Sequence, residues 1–240
     1  MKVAKIEPMI INIPGAGEGE RPAGRNGLTA VLVRIETDTG LVGWGEGSVG
    51  ANAESIYEAV RATIPIVKDR NPWNTQAIAD DVFNAGQWSS AWRTSGANYA
   101  YAGIDMALWD ICGQDCGQPI YNLFGGVRRP WVDYYYMVRH GPVDDVLRQC
   151  REGVARGYRV FYTKVGWDLE RELQIVEAIR TAIGPTGKIR IDANCHWGFN
   201  EGLRNLAEFD RYHLDFAAAA LYHDRASRLG FWSAWRQPVS

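Results

Sequence analysis

Two kinds of hydrophobic spacing divide this chain. Up to residue 126, strand-like runs come first and helical spacing follows; beyond it, the two alternate. Residues 2–14 and 28–47 read as a meander. Val31-Leu32-Val33-Arg34-Ile35-Glu36-Thr37 leads through the turn signal Asp38-Thr39-Gly40 into Leu41-Val42-Gly43-Trp44-Gly45-Glu46. Apolar residues then recur at helical spacing over 53–67, 75–83 and 96–116, the last apolar on one face at Tyr99, Gly103, Met106, Ala107 and Ile111. Strands followed by helices predict a compact α+β domain over residues 1–126. Residues 15–27, between the first two strand segments, are rich in Gly, Pro and charge, so they bury little and read as a mobile loop.

From Trp131 the pattern predicts strands over 131–138, 160–165, 189–193 and 214–221, with helices over 143–156, 168–183, 201–212 and 225–236. A βα unit repeating at this spacing fits either a (β/α) barrel or an open doubly wound sheet. No GxGxxG or Walker signature opens any of the helices, which favours the barrel. Four βα units make half of an eightfold barrel, so residues 127–240 read as its N-terminal half. An open half-barrel exposes strand edges, which implies a fragment or a partner that supplies the remainder. The fold class is therefore α/β, an N-terminal α+β domain followed by about half of a (β/α) barrel.

Composition narrows the function. With 240 residues, 46% hydrophobic and 12% aromatic, the chain has enough apolar surface for real cores. Its 26 basic and 28 acidic residues nearly cancel, and no basic, aromatic-interleaved patch offers a nucleic-acid surface. The first residues lack the apolar core of a signal peptide, and no segment approaches the roughly 20 apolar residues of a membrane span, so a cytoplasmic location without membrane contact is expected. Four cysteines imply no disulfide framework. Cys112 and Cys116 share a helix face without further ligands nearby, and read as buried thiols.

The candidate chemistry lies at two strand ends. Arg159-Val160-Phe161-Tyr162-Thr163-Lys164-Val165-Gly166 and Lys188-Ile189-Arg190-Ile191-Asp192-Ala193-Asn194 each finish an apolar run with a charged group, and a helical pattern separates them. In parallel βαβ units, function collects at the carboxyl ends of strands, so Lys164 and Asp192 should face one mouth. Lys164 is a candidate base, although an amine of pKa about 10.4 needs desolvation or a nearby cation to serve at neutral pH; the other reading is a solvated strand-end lysine. Asp192 is either a ligand for Mg²⁺, which prefers hard oxygens, or a turn residue for the following loop. Asn194 could contact substrate or shape that loop, and His196 could touch substrate or face solvent. His140, His213 and His223 show no ligand spacing.

Together these segments resemble the enolase superfamily, in particular its mandelate racemase and muconate lactonizing enzyme branch. Gly43-Trp44-Gly45-Glu46 is similar to a strand of that family's capping domain. Ala102-Gly103-Ile104-Asp105-Met106-Ala107-Leu108-Trp109-Asp110-Ile111 and Gly117-Gln118-Pro119-Ile120-Tyr121-Asn122-Leu123-Phe124-Gly125-Gly126 resemble its helix and linker into the barrel. Tyr162-Thr163-Lys164-Val165-Gly166 resembles the Lys-x-Lys strand end, with Lys164 at the catalytic lysine and Tyr162 where the first lysine often stands. Asp192-Ala193-Asn194 resembles the strand supplying the first metal ligand.

The resemblance implies a capping domain over a (β/α)₇β barrel and Mg²⁺-dependent removal of the proton α to a carboxylate, through an enediolate. Lys164 would be the base, Asp192 a metal ligand, and Tyr162 and Asn194 substrate contacts. Residues 15–27 would close over the mouth. The substrate would be a small hydroxy or sugar acid, turned over by racemisation, dehydration or cycloisomerisation, and the assembly an even-numbered homo-oligomer. One departure stands out: where the family's fourth strand carries a metal-binding Glu, Asp215-Phe216 is followed by Ala217-Ala218-Ala219-Ala220, with Ala218 at the ligand position. The same departure raises the alternative of a catalytically inactive homologue that only binds or assembles.

Overall fold

The computed structural model describes residues 1–13, 28–47, 53–85 and 96–220, in two compact units, Met1–Pro130 and Trp131–Ser240. The region expected to form a closing loop and the helix expected over 225–236 lie outside the described residues.

In the first unit, β1 (Val3–Ile13), β2 (Leu28–Thr37) and β3 (Val42–Glu46) form an antiparallel meander in the order β1-β2-β3. The alternation read from the sequence is physical: Val31, Val33 and Ile35 on β2 are fully buried on one face. That face is covered by α1 (Ala53–Val67) and α3 (Gly96–Cys116), and α2 (Thr75–Ala85) packs against both helices. In α1 the buried residues Ala53, Ile56, Val60, Thr63 and Val67 repeat every three or four positions, as an amphipathic helix requires.

The sheet and α3 approach unusually closely, and glycine permits it. A Cβ on Gly43 would lie 2.1 Å from the Ala107 carbonyl oxygen, and one on Gly45 2.0 Å from that of Gly103. The contact also satisfies the outer edge of β3. Asp110 accepts from the Trp44 amide at 2.9 Å, and Gln114 donates to the Val42 carbonyl at 2.7 Å. Cys112 is buried in this helix, whereas Cys116, one turn later, is exposed; the expectation of two buried thiols fails there because Cys116 lies at the helix end, past the last turn covered by the core. The short α4 (Ile120–Leu123) follows.

The second unit is a parallel four-stranded sheet, β4 (Tyr136–Met137), β5 (Val160–Lys164), β6 (Lys188–Asp192) and β7 (Phe216–Ala218), in sequential order. The helices α5 (Val143–Ala155), α6 (Leu169–Ile183) and α7 (Phe199–Asp210) connect them. Phe161, Ile189, Ile191 and Ala217 turn toward the helices and join Val146, Cys150, Ile175, Ile179, Leu206 and Phe209 in one core. Residues at alternate positions, Tyr162, Lys164, Arg190, Asp192, Phe216 and Ala218, therefore occupy the opposite face.

The strand expected over 131–138 shrinks to two residues. In register, Tyr136 lies opposite Phe161, so Tyr134 and everything before it run past the start of β5 with no ladder to join. Trp131, Val132 and Tyr134 are accordingly exposed. Arg180 of α6 ties the ends of the connecting loops together, donating to the carbonyls of Gly184, Gly187, Tyr212 and His213.

Candidate active site

Parallel register places Lys164, Asp192 and Ala218 side by side at the carboxyl ends of β5, β6 and β7. The lysine and aspartate do converge. Lys164 Nζ donates to Asp192 Oδ2 at 2.7 Å, and the Tyr162 hydroxyl donates to the same oxygen. The Asn194 amide donates to the other oxygen, Oδ1, at 2.8 Å. Tyr162 reaches the pair because it sits two residues before Lys164 on the same face. Its ring packs at 4.6 Å on Tyr135 and lies 5.3 Å from Lys164 Nζ.

The charges within this triad are set by mutual contact. Burial pulls Lys164 down, but the hydrogen bonds and negative charge of Asp192, helped by Tyr162, outweigh it and raise the amine above its ordinary value. Burial pushes Asp192 up, yet hydrogen bonds from Lys164, Tyr162 and the Asn194 amide lower it overall. Tyr162 is raised by burial and by the carboxylate it faces. At neutral pH the group is thus an ammonium, a carboxylate and a neutral phenol.

The Mg²⁺ that the resemblance implies does not fit the described residues. Such an ion takes several hard oxygens in octahedral geometry. Asp192 is the carboxylate at these strand ends, both its oxygens are engaged, and its in-register neighbour Ala218 has no donor. Among the described residues no three acidic, His or Cys side chains group to hold a metal.

Asn194 is exposed and left-handed at φ 46°, a conformation asparagine tolerates, and it is followed by Cys195 at 62°. Its backbone shapes the loop and braces Asp192. Two further groups escaped sequence reasoning. His140 brings Nε2 to 2.6 Å from the Lys164 carbonyl; a carbonyl only accepts, so Nε2 carries the hydrogen. Glu172, on the first turn of α6 and buried, accepts from the amides of Gly166 (2.8 Å), Trp167 (2.8 Å) and Asp168 (3.1 Å) with a single oxygen. It clamps the loop that leaves Lys164. Trp167 on that loop meets the His140 ring at 5.9 Å and the His196 ring at 5.7 Å. Asp215, just before β7, pairs with Arg190 at 2.7 Å and Lys188 at 3.1 Å.

Residues 24–125 match the model of the mandelate racemase / muconate lactonizing enzyme N-terminal domain, and residues 145–227 that of the enolase C-terminal domain-like family. The chain is 34% identical over 180 residues to a D-galactarolactone cycloisomerase of Agrobacterium fabrum, a match spanning 72% of this chain and 46% of that protein. It is 28% identical over 219 residues to an L-Ala-D/L-Glu epimerase of Bacillus subtilis, covering 88% of this chain and 57% of the epimerase. The crystal structure of N-succinyl Arg/Lys racemase from Bacillus cereus matches with a TM-score of 0.86 at 23% identity, over 99% of this chain and 65% of that one, a likeness of fold. The chain spans about half the length of the curated relatives it matches.

Proposed function

Because this chain belongs to the mandelate racemase and muconate lactonizing enzyme branch of the enolase superfamily, whose members similar to it are racemases, epimerases, dehydratases and cycloisomerases, we propose that its strand ends form one proton-transfer face for a small hydroxy or sugar acid. The observation that supports this reading is the convergence of Lys164 and Asp192 from adjacent parallel strands at 2.7 Å. As a neutral amine, Lys164 would take the proton α to the substrate carboxylate. The C–H bond breaks, its electron pair passes into the carboxylate as an enediolate, and an N–H bond forms. As the ammonium that its pair with Asp192 favours, Lys164 runs the reverse step and delivers a proton. Breaking the pair with Asp192 therefore precedes the base role, because the pair holds the proton on nitrogen. Among the described residues Asp192 is one carboxylate with no in-register oxygen partner for a Mg²⁺ ion.

A second reading rests on Ala218 beside Asp192: the chain by itself has no turnover and only binds or assembles. Proton exchange separates the two. The chain is incubated in D₂O with millimolar MgCl₂ and a panel of hydroxy and sugar acids, and the α-proton signal is followed by NMR. Loss of that signal in wild type but not in Lys164→Ala supports the first reading. Exchange at an equal rate in Lys164→Ala rejects Lys164 as its agent, and a folded chain that exchanges no acid supports the second reading.

A further inference from the structure

Three consecutive strand-end loops each place one ring in a row. His140 comes from the loop after β4, Trp167 from the loop after β5 and His196 from the loop after β6. The middle member, Trp167, is 62% exposed and presents a large ring to solvent. Its backbone, by contrast, is held fast, since the Trp167 amide donates to buried Glu172. An indole on an anchored backbone, left open to water and flanked by two imidazoles, has the construction of a recognition surface.

The row also borders the backbone of the strand end that carries Lys164. His140 donates from Nε2 to the Lys164 carbonyl, which leaves its Nδ1 for other partners, and a Cβ on Gly166 would lie 3.0 Å from the His196 side chain, so both imidazoles border the turn that follows Lys164. A ligand whose carboxylate end lies near Lys164 would lay the rest of its length along these rings. An indole face carries partial negative charge, which attracts the polarised C–H groups of a hydroxylated carbon chain, while imidazole nitrogens exchange hydrogen bonds with hydroxyls. An acid as short as lactate, whose single hydroxyl sits beside its carboxylate, has no hydroxylated chain to extend to either.

We propose that His140, Trp167 and His196 form a subsite for the polyhydroxylated tail of a sugar acid, with Trp167 as the residue that selects long hydroxylated acids over short ones. This rests on the proposed reading of Lys164 as the carboxylate-end residue, and its test separates the two. The chain is labelled with 5-fluorotryptophan, the Trp167 signal is identified by its loss in Trp167→Phe, and D-galactonate or lactate is added while ¹⁹F spectra and affinities are recorded. Galactonate should shift the Trp167 signal and lactate should not. Trp167→Ala should weaken galactonate about tenfold and leave lactate unchanged, and Trp167→Phe should keep most of the affinity. Lys164→Met should weaken both acids alike. A Trp167 signal unmoved by saturating or solubility-limited galactonate, or a Trp167→Ala variant that treats the two acids equally, overturns the subsite. Galactonate that shifts Trp167 but exchanges no α-proton in D₂O leaves the subsite standing and removes the proton-transfer reading.

Discussion

Replacing Glu172 with alanine should be costly, because this one side chain of α6 satisfies three backbone donors. Its carboxylate accepts from Gly166, Trp167 and Asp168, and the side chain is buried. A hydrogen bond to a charged group contributes about 1.5–3 kcal/mol and an unsatisfied buried donor costs about 1–3 kcal/mol. Trp167 and Asp168 are exposed, so water can reach part of the loop once the carboxylate is gone, and the low end applies. Three donors at about 1 kcal/mol each give a loss near 3 kcal/mol for Glu172→Ala, a large share of the roughly 5–15 kcal/mol that holds a domain folded. Glu172→Gln keeps an acceptor but not its charge and should lose about half as much, since charge-assisted bonds are about twice as strong as neutral ones. Urea unfolding followed by circular dichroism measures the loss, and amide exchange at residues 166–168 shows whether the loop has loosened. An alanine variant within about 0.5 kcal/mol of wild type, the range of an ordinary surface change, would refute the clamp.

Gly45→Ala should destabilise the first unit by about 3 kcal/mol or more, because its Cβ would meet the Gly103 carbonyl at 2.0 Å and a helix backbone must move; a thermal melt indistinguishable from wild type would contradict the close packing. Asp192 has a folded-state pKa below its ordinary value, so its contribution to stability is full above about 3.8 and is lost as pH falls through the lower folded value. The stability gap between wild type and Asp192→Asn, read by urea midpoints from pH 6 downward, should therefore hold to about pH 4 and then close; a gap that widens on acidification would reverse the sign of the argument. Ala218→Glu sets a second carboxylate in register beside Asp192, and calorimetry should then detect Mg²⁺ binding that is much weaker in wild type; equal binding by both would show that Ala218 is not the missing donor.

Much of the fold was legible because spacing alone carries it. Val31, Val33 and Ile35 alternate as a half-buried strand does, and α1 and α3 begin and end where the periodic apolar pattern does. That Lys164 and Asp192 share one sheet face was legible for the same reason, each closing an apolar strand of a βαβ unit. Tyr162 could have been placed on the carboxylate from its two-residue offset to Lys164. The extent of β4 could not be read, since it depends on where its neighbour β5 starts. His140 and Glu172 were hidden for a different reason. A histidine in a loop and a glutamate on the first turn of an amphipathic helix look like solvated residues, and only folding shows that their partners are backbone groups with no side-chain signature.

The most direct test of the central claim is the titration of the Lys164 ammonium by NMR, in wild type and in Asp192→Asn. If the amine and the carboxylate share one face as described, Lys164 should titrate above its ordinary value in wild type and fall when the carboxylate becomes an amide. A Lys164 that titrates at or below its ordinary value, unmoved by Asp192→Asn, would mean that the two strand ends do not meet.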